Sequence, residues 1–310
     1  MNPALPACLA ILLSAWLFPS PLGAQEPATG DTMAPCPAGR VETEVLRLVP
    51  GEKAMVLQTP RWLLYNPGGC IVELTGAFHL AEKAYFEDLN QHFRSFDAVL
   101  FEAPCDREDV ERMQGKRPRA GPLFAEDGFA AAFRSIARTL GDISFQPDEV
   151  DYTAANFIHA DLGPSDMTAE FGKRGLPAGD PAIRDLGTDP SMGNFAAALP
   201  GGKAQAPPDD PQALRRALAA FMVQLVEAED RKPQDDASAR ASRLIDGLRE
   251  ARALEVLDRE LAAGKRHISI FYGSAHLPYL KKRLLEKGWK VANVKWLDAW
   301  TIPNPPGKAR

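Results

Sequence analysis

Two ten-residue segments, IVELTGAFHL at 71–80 and ISIFYGSAHL at 268–277, are two copies of one device. Each carries an apolar, strand-like run into Gly-x-x-His and then into a helix-like pattern: Gly76-Ala77-Phe78-His79 in the first copy, Gly273-Ser274-Ala275-His276 in the second. Strands that alternate with helices build parallel sheets. Glycine at the end of such a strand admits backbone angles and close approaches that a Cβ forbids. Both histidines therefore belong at carboxyl ends of strands, the edge at which open α/β sheets form ligand crevices. A third run, Phe96-Asp97-Ala98-Val99-Leu100-Phe101-Glu102, ends on a carboxylate by the same geometry. The expectation is that His79, Glu102 and His276 meet in one pocket.

The remainder of the chain fits around that edge as an α/β fold, a mainly parallel or mixed central sheet flanked by helices. Residues 41–65, split by Pro50-Gly51, predict an N-terminal β-hairpin, with Pro60 at an edge or a break. Residues 80–96 predict a helix that buries Tyr85, Leu89, Phe93 and Phe96, and 127–140 a second one with Phe129, Phe133, Ile136 and Leu140 inside. His92 borders the first stripe and reads as a packing or surface histidine, and His267 begins its strand far from His276. Glu73 falls in mid-strand, where a buried carboxylate needs a partner, and a salt bridge or an edge-facing position is the simpler reading. The polar stretch around Asp148, Asp151, Asn156, His159, Asp161 and Asp166 reads as a loop with capping residues rather than as a metal site. Residues 172–211, rich in Gly and Pro, predict an irregular helical or loop insertion. Helices are expected over 212–227 and about 237–263, the latter burying Leu244, Leu248, Ala251, Leu254, Leu257 and Leu261 before a parallel crossover into HISIFYG. After His276 come a helix ending at Gly288 and a last strand. This gives one domain over 41–303, a flexible tether over 25–40 and a disordered tail over 304–310.

The first 24 residues hold no charged side chain and read as a secretory signal peptide cleaved after Ala24, so the protein is expected to be secreted or periplasmic. The alternative is an uncleaved leader acting as an N-terminal membrane anchor; no other run reaches spanning length. The net charge of −5 and the absence of basic stretches speak against nucleic acid. The odd cysteine number beyond the leader leaves Cys36 as the expected partner of Cys70 or Cys105, because those two fall at opposite sheet edges. Dinucleotide and P-loop glycine patterns are missing.

Two neutral imidazoles and one carboxylate suffice to hold a divalent metal, such as Zn, Mn, Co or Fe, with a position open for water. The metal would lower the pKa of that water and polarise a carbonyl of a peptide or a small ester or amide. In a metal-free version His79 is the general base and Glu102 orients it.

The GAFH segment, the LFEAP segment ending its strand on Glu102, and the GSAHL segment followed by an amphipathic helix together resemble the TraB/GumN family, which includes the PrgY and Tiki-like proteins. The resemblance covers about residues 68–104 and 245–297. It implies an α/β/α fold whose centre is His79, Glu102 and His276 as catalytic residues and metal ligands, with Gly76 and Gly273 shaping the turns, and, as in Tiki-like members, metal-dependent proteolysis. The family also carries an Arg-Asn pair on the helix before the second motif. Here Arg252 is the candidate arginine, and Ala253 stands where asparagine is expected. A hydrolase, most simply peptidase-like, is one reading; a haem- or metal-binding module, or an interaction protein with a decayed site, is the alternative.

Overall fold

The computed structural model describes residues 41–118, 129–175, 212–216, 218, 219, 222 and 237–304. The leader, the tether, Cys36, most of the 172–211 segment and the tail beyond residue 304 lie outside the described residues. The elements, numbered here in chain order, begin with β1 (Val41–Glu42), β2 (Arg47–Pro50), β3 (Ala54–Tyr65), β4 (Ile71–Ala77), β5 (Leu80–Glu82) and α1 (Lys83–Phe93). Next come β6 (Ala98–Phe101), α2 (Arg107–Met113), α3 (Phe129–Leu140), β7 (Ile143–Phe145), α4 (Gln146–Glu149), β8 (Phe157–His159) and α5 (Pro164–Lys173). The last are α6 (Ala237–Ala262), β9 (His267–Gly273), α7 (Leu277–Glu286) and β10 (Lys290–Pro303).

The central sheet is mixed and runs in the order β1-β2-β3-β4-β9-β6-β8, with β10 also paired to β3. One half, β4-β9-β6-β8, is parallel throughout, and the other half is antiparallel. The two Gly-x-x-His strands are neighbours in this sheet. They are staggered by one residue, Gly76 opposite Tyr272 and Ala77 opposite Gly273.

Alternation along the strands divides the core into two faces. Val99, Phe101 and Phe271 pack with Tyr85, Phe86, Leu89 and Phe93 of α1. On the opposite face Leu100, Ile270 and Tyr272 pack with Ala253, Leu254 and Leu257 of α6 and with Leu277, Leu280 and Leu284 of α7. Helices therefore cover both faces of the parallel half, the α/β fold expected. Among the described residues no helix is long and apolar enough to cross a membrane.

Glu73, buried in mid-strand on the α1 side, is paired as expected. Its Oε1 bonds His92 Nε2 at 2.8 Å, accepts from Thr75 Oγ1 at 2.9 Å and lies 3.9 Å from Arg61 Nε. Burial pushes its carboxyl up, but the His92 bond and the His92 and Arg61 charges bring it below the usual value. His267 bonds Ser95 O and stacks on Phe96. Cys70 and Cys105 are buried and form no disulfide among the described residues, which do not include Cys36.

Several local expectations change. Helix α1 does not follow His79 directly. Leu80, Ala81 and Glu82 first form β5, antiparallel to β7, while Trp300 Nε1 donates to Leu80 O and Thr301 N to Glu82 Oε1. Of the two places expected for Pro60, the strand break is absent, since β3 runs unbroken for 12 residues with Pro60 opposite Trp296; the edge is present, because on the other side the β2 pairs end at Gln58 and the β4 pairs begin at Arg61. Its missing N–H thus falls where no β4 partner is needed.

The two motif glycines also differ. Gly273 takes φ −46° and ψ 135°, which side-chain-bearing residues adopt. Gly76 is needed for space: a Cβ there would lie 3.0 Å from Pro60 O, 3.1 Å from Ser274 Oγ and 3.2 Å from Leu277 Cδ2. Gly76→Ala is expected to destabilise the fold by about 1–3 kcal/mol through overpacking, read as a lower denaturant midpoint with unchanged slope.

Candidate active site

Four parallel strands deliver polar side chains to one edge. Glu102 follows β6 directly, Asp161 lies two residues beyond β8, His79 two beyond β4, and His276 three beyond β9. Helix α6 closes the site from one face with Arg249 and Glu250.

The centre is a fully buried guanidinium. Arg249 Nη2 donates to Glu102 Oε1 at 2.6 Å and to Asp161 Oδ2 at 2.8 Å, while Nε donates to Asp161 Oδ1 at 3.0 Å. The second oxygen of Glu102 accepts from the Gly273 N–H at 2.5 Å. Burial opposes the charge on Glu102, yet Arg249, then His276 and His79, hold its carboxyl down at about 2. Burial likewise opposes the charge on Arg249, and Asp161 and Glu102 more than restore it.

His276 is buried at the end of the one-turn helix Ser274–His276. Its Nδ1 donates to Glu250 Oε1 at 2.9 Å, and its Nε2 sits 3.7 Å from Glu102 Oε1 with no hydrogen-bond partner. Burial disfavours the imidazolium, but the Glu250 bond and the Glu102 and Glu250 charges outweigh it and raise the group to about 9.

His79 is half-buried and differently held. Its Nδ1 bonds Gln146 Oε1 at 2.9 Å, and the Gln146 N–H donates back to His79 O at 2.8 Å. Gln146 Nε2 donates to Tyr152 Oη, which turns the amide oxygen towards the imidazole. That network assigns the proton to Nδ1 and the lone pair to Nε2. Burial holds His79 below the usual imidazole value, against the pull of Glu102 and of the Gln146 bond.

The three residues nominated by the strand-end argument thus gather at one edge. No family model, curated protein or solved structure matches this chain. The site is therefore read from its own atoms. Arg252 is not part of it: that side chain is 42% exposed and pairs with Glu255, while Arg249, one turn earlier, reaches the centre. Glu250 takes the position beside the arginine and binds His276. The polar loop reading also gives way at Asp161, because Phe157–His159 forms a strand parallel to β6 and carries Asp161 to the same edge.

The metal implied by the family resemblance needs Glu102 as a ligand beside the two imidazoles. Both oxygens of Glu102 are engaged, one by a guanidinium that repels a cation at that place. Among the described residues no three His, Cys, Asp or Glu side chains are grouped to hold a metal ion. The donor set as arranged does not fit that centre.

Asp246 stands one turn before Glu250 on α6. Burial pushes it up to about 6, against the pull of His276 and Arg249, and its Oδ1 is buried without a partner.

Removing the buried cation strands two carboxylates. Arg249→Met is expected to destabilise the protein by about 3–5 kcal/mol, and Arg252→Ala to stay within about 0.5 kcal/mol, both measured by denaturant unfolding. The raised His276 stabilises the fold fully below its ordinary 6.5, and this contribution is lost as pH rises through about 9. Unfolding free energy should therefore decline across that window. In His276→Gln this part of the slope should vanish.

Proposed function

We propose that this chain is a hydrolase of the TraB/GumN kind that cleaves a carboxylic ester or amide by paired acid–base action of His79 and His276. The observation that carries this reading is the difference between the partners of the two imidazoles. His79 Nδ1 is held by a neutral amide, and His276 Nδ1 by a carboxylate. Burial keeps His79 a base because its neutral partner does not offset it, and an anionic partner more than offsets burial and keeps His276 an acid. Two chemically identical groups pushed apart by their surroundings are the usual signature of divided acid and base roles.

In this reading the half-buried His79 takes a proton from water as the water attacks the acyl carbon. The negative charge that develops on the carbonyl oxygen is met by the His276 Nε2–H and by Arg249 Nη1, both buried without a partner among the described residues. His276 then gives its Nε2 proton to the departing oxygen or nitrogen. The products are a carboxylic acid and an alcohol or amine, and the proton on His79 returns to His276 through solvent. Glu102 and Glu250 act by holding Arg249 and His276 charged and in place. The uncharged first 24 residues support a location outside the cytoplasm for this chemistry.

The test is hydrolysis of a chromogenic ester series and a peptide library by protein purified without a histidine tag, with and without chelator. Turnover is expected to survive the chelator and to fall by about 10²–10⁴ in His79→Gln and in His276→Gln, with both variants folded by circular dichroism. Turnover abolished by chelator and restored by zinc or manganese would return the site to metal chemistry. Turnover unchanged in both variants would remove the site from catalysis.

A further inference from the structure

Among the described residues, three buried polar atoms at the centre have no hydrogen-bond partner: Arg249 Nη1, His276 Nε2 and Asp246 Oδ1. Arg249 is fully buried and His276 is 2% exposed, whereas Asp246 is half-buried with only its Oδ1 covered. Unmade hydrogen bonds inside a protein are costly enough that a cluster of them calls for a ligand. The first two atoms are donors. The third is an acceptor.

Asp246, Arg249 and Glu250 stand at i, i+3 and i+4 on α6 and share one helix face. The charged groups that act on Asp246 are His276, Arg249, Glu250 and Glu102, so it belongs to the same cluster. Within that cluster Glu102 and Asp161 share Arg249, and Glu250 holds His276. Asp246 is the carboxylate left over. Four carboxylates then face one guanidinium and one imidazolium, an excess of negative charge that a cationic ligand group would offset and an anionic one would worsen.

We infer that the site takes an α-amino acyl group, with its carbonyl oxygen on Arg249 Nη1 and His276 Nε2 and its protonated amine on Asp246. The position of the carbonyl rests on the hydrolase reading above, and the position of the amine rests on Asp246. Asp246 is then a specificity-determining residue that distinguishes a free amine from an acylated one. The same chemistry is offered by the amino terminus of a peptide and by a free amino-acid amide or ester.

The experiment separates binding from turnover. Phenylalaninamide and N-acetylphenylalaninamide are titrated calorimetrically at pH 7.5 into full-length protein carrying His79→Gln, which lacks the base. The cationic probe is expected to bind about tenfold more tightly or better, and adding Asp246→Asn should bring the two probes to within about threefold of each other. Equal affinities, no binding of either probe, or a preference that survives Asp246→Asn would overturn the inference. If Asp246→Asn does not fold, the ratio of the two probes on the protein that retains Asp246 still decides. A preference for the amine in protein that retains His79 but hydrolyses neither phenylalanine ester nor amide would sink the hydrolase reading and leave the amine site standing.

Discussion

The edge of this sheet is held together by one buried guanidinium. Arg249 comes from a helix, and its two carboxylate partners come from the ends of two different strands. Burying a charge of that size is tolerable only when hydrogen bonds replace the lost water, and here Nε and Nη2 do so. The consequences spread outwards. With Oε1 on Arg249, Glu102 turns its other oxygen to the Gly273 N–H and fixes the start of the second histidine turn. His276 is then left with Glu250 on one nitrogen and the rim of Glu102 near the other.

Two glutamates in neighbouring parts of this sheet show how a structural carboxylate differs from one in a site. Glu73 lies in mid-strand, and its partners close around it: His92 and Thr75 within hydrogen-bonding distance, Arg61 just beyond. The Thr75 hydroxyl continues to Ser269 on the next strand. This cluster ties α1 to the sheet. Around Glu102 the protein groups do not close the account: after Arg249, Asp161, Glu250 and Gly273 have bonded, donors and an acceptor remain over. Both glutamates have depressed pKa values, so the shift alone does not tell the two situations apart. The number of leftover atoms does: among the described residues one, Arg61 Nε, lies beside Glu73, and three lie around Glu102.

What could be read from the chain follows from how far each signal reaches. His79, Glu102 and His276 were accessible because each ends a long apolar run, and parallel strands put such ends together. The buried stripe of α1 was equally plain, Tyr85, Leu89 and Phe93 recurring at helical spacing. Asp161 was hidden because its strand is only three residues long and is flanked by polar residues that read as a loop. Arg249 was hidden for a different reason. An apolar stripe on α6 treats charged residues as solvent-facing, whereas Arg249 and Glu250 are buried and Ala251 is exposed. A helix that lines a polar centre breaks the rule by which its buried face is found. The resemblance nominates Arg252, three residues after the arginine that reaches the centre, because nothing local distinguishes the two. Strand β5 depends on Phe145 and Ile143 of β7, a pairing that no signal within residues 77–83 reveals.

The repeated motif ends in two histidines that cannot be interchanged. Their strands lie side by side, and Ser274 Oγ donates to Ala77 O, so the two turns are stitched together. From there the chain diverges. After His79 it runs into β5, and β7 leads into Gln146 just across from the imidazole. After His276 it enters α7, and the long crossover helix lays Glu250 against the ring. Burial lowers the proton affinity of both rings; the carboxylate beside His276 more than offsets it and the amide beside His79 does not, which separates two rings that share a sheet edge. The asymmetry therefore lies in the elements that cover each turn, not in the turns themselves. A carboxylate at position 146 and an amide at position 250 should therefore draw the two imidazole pKa values towards each other.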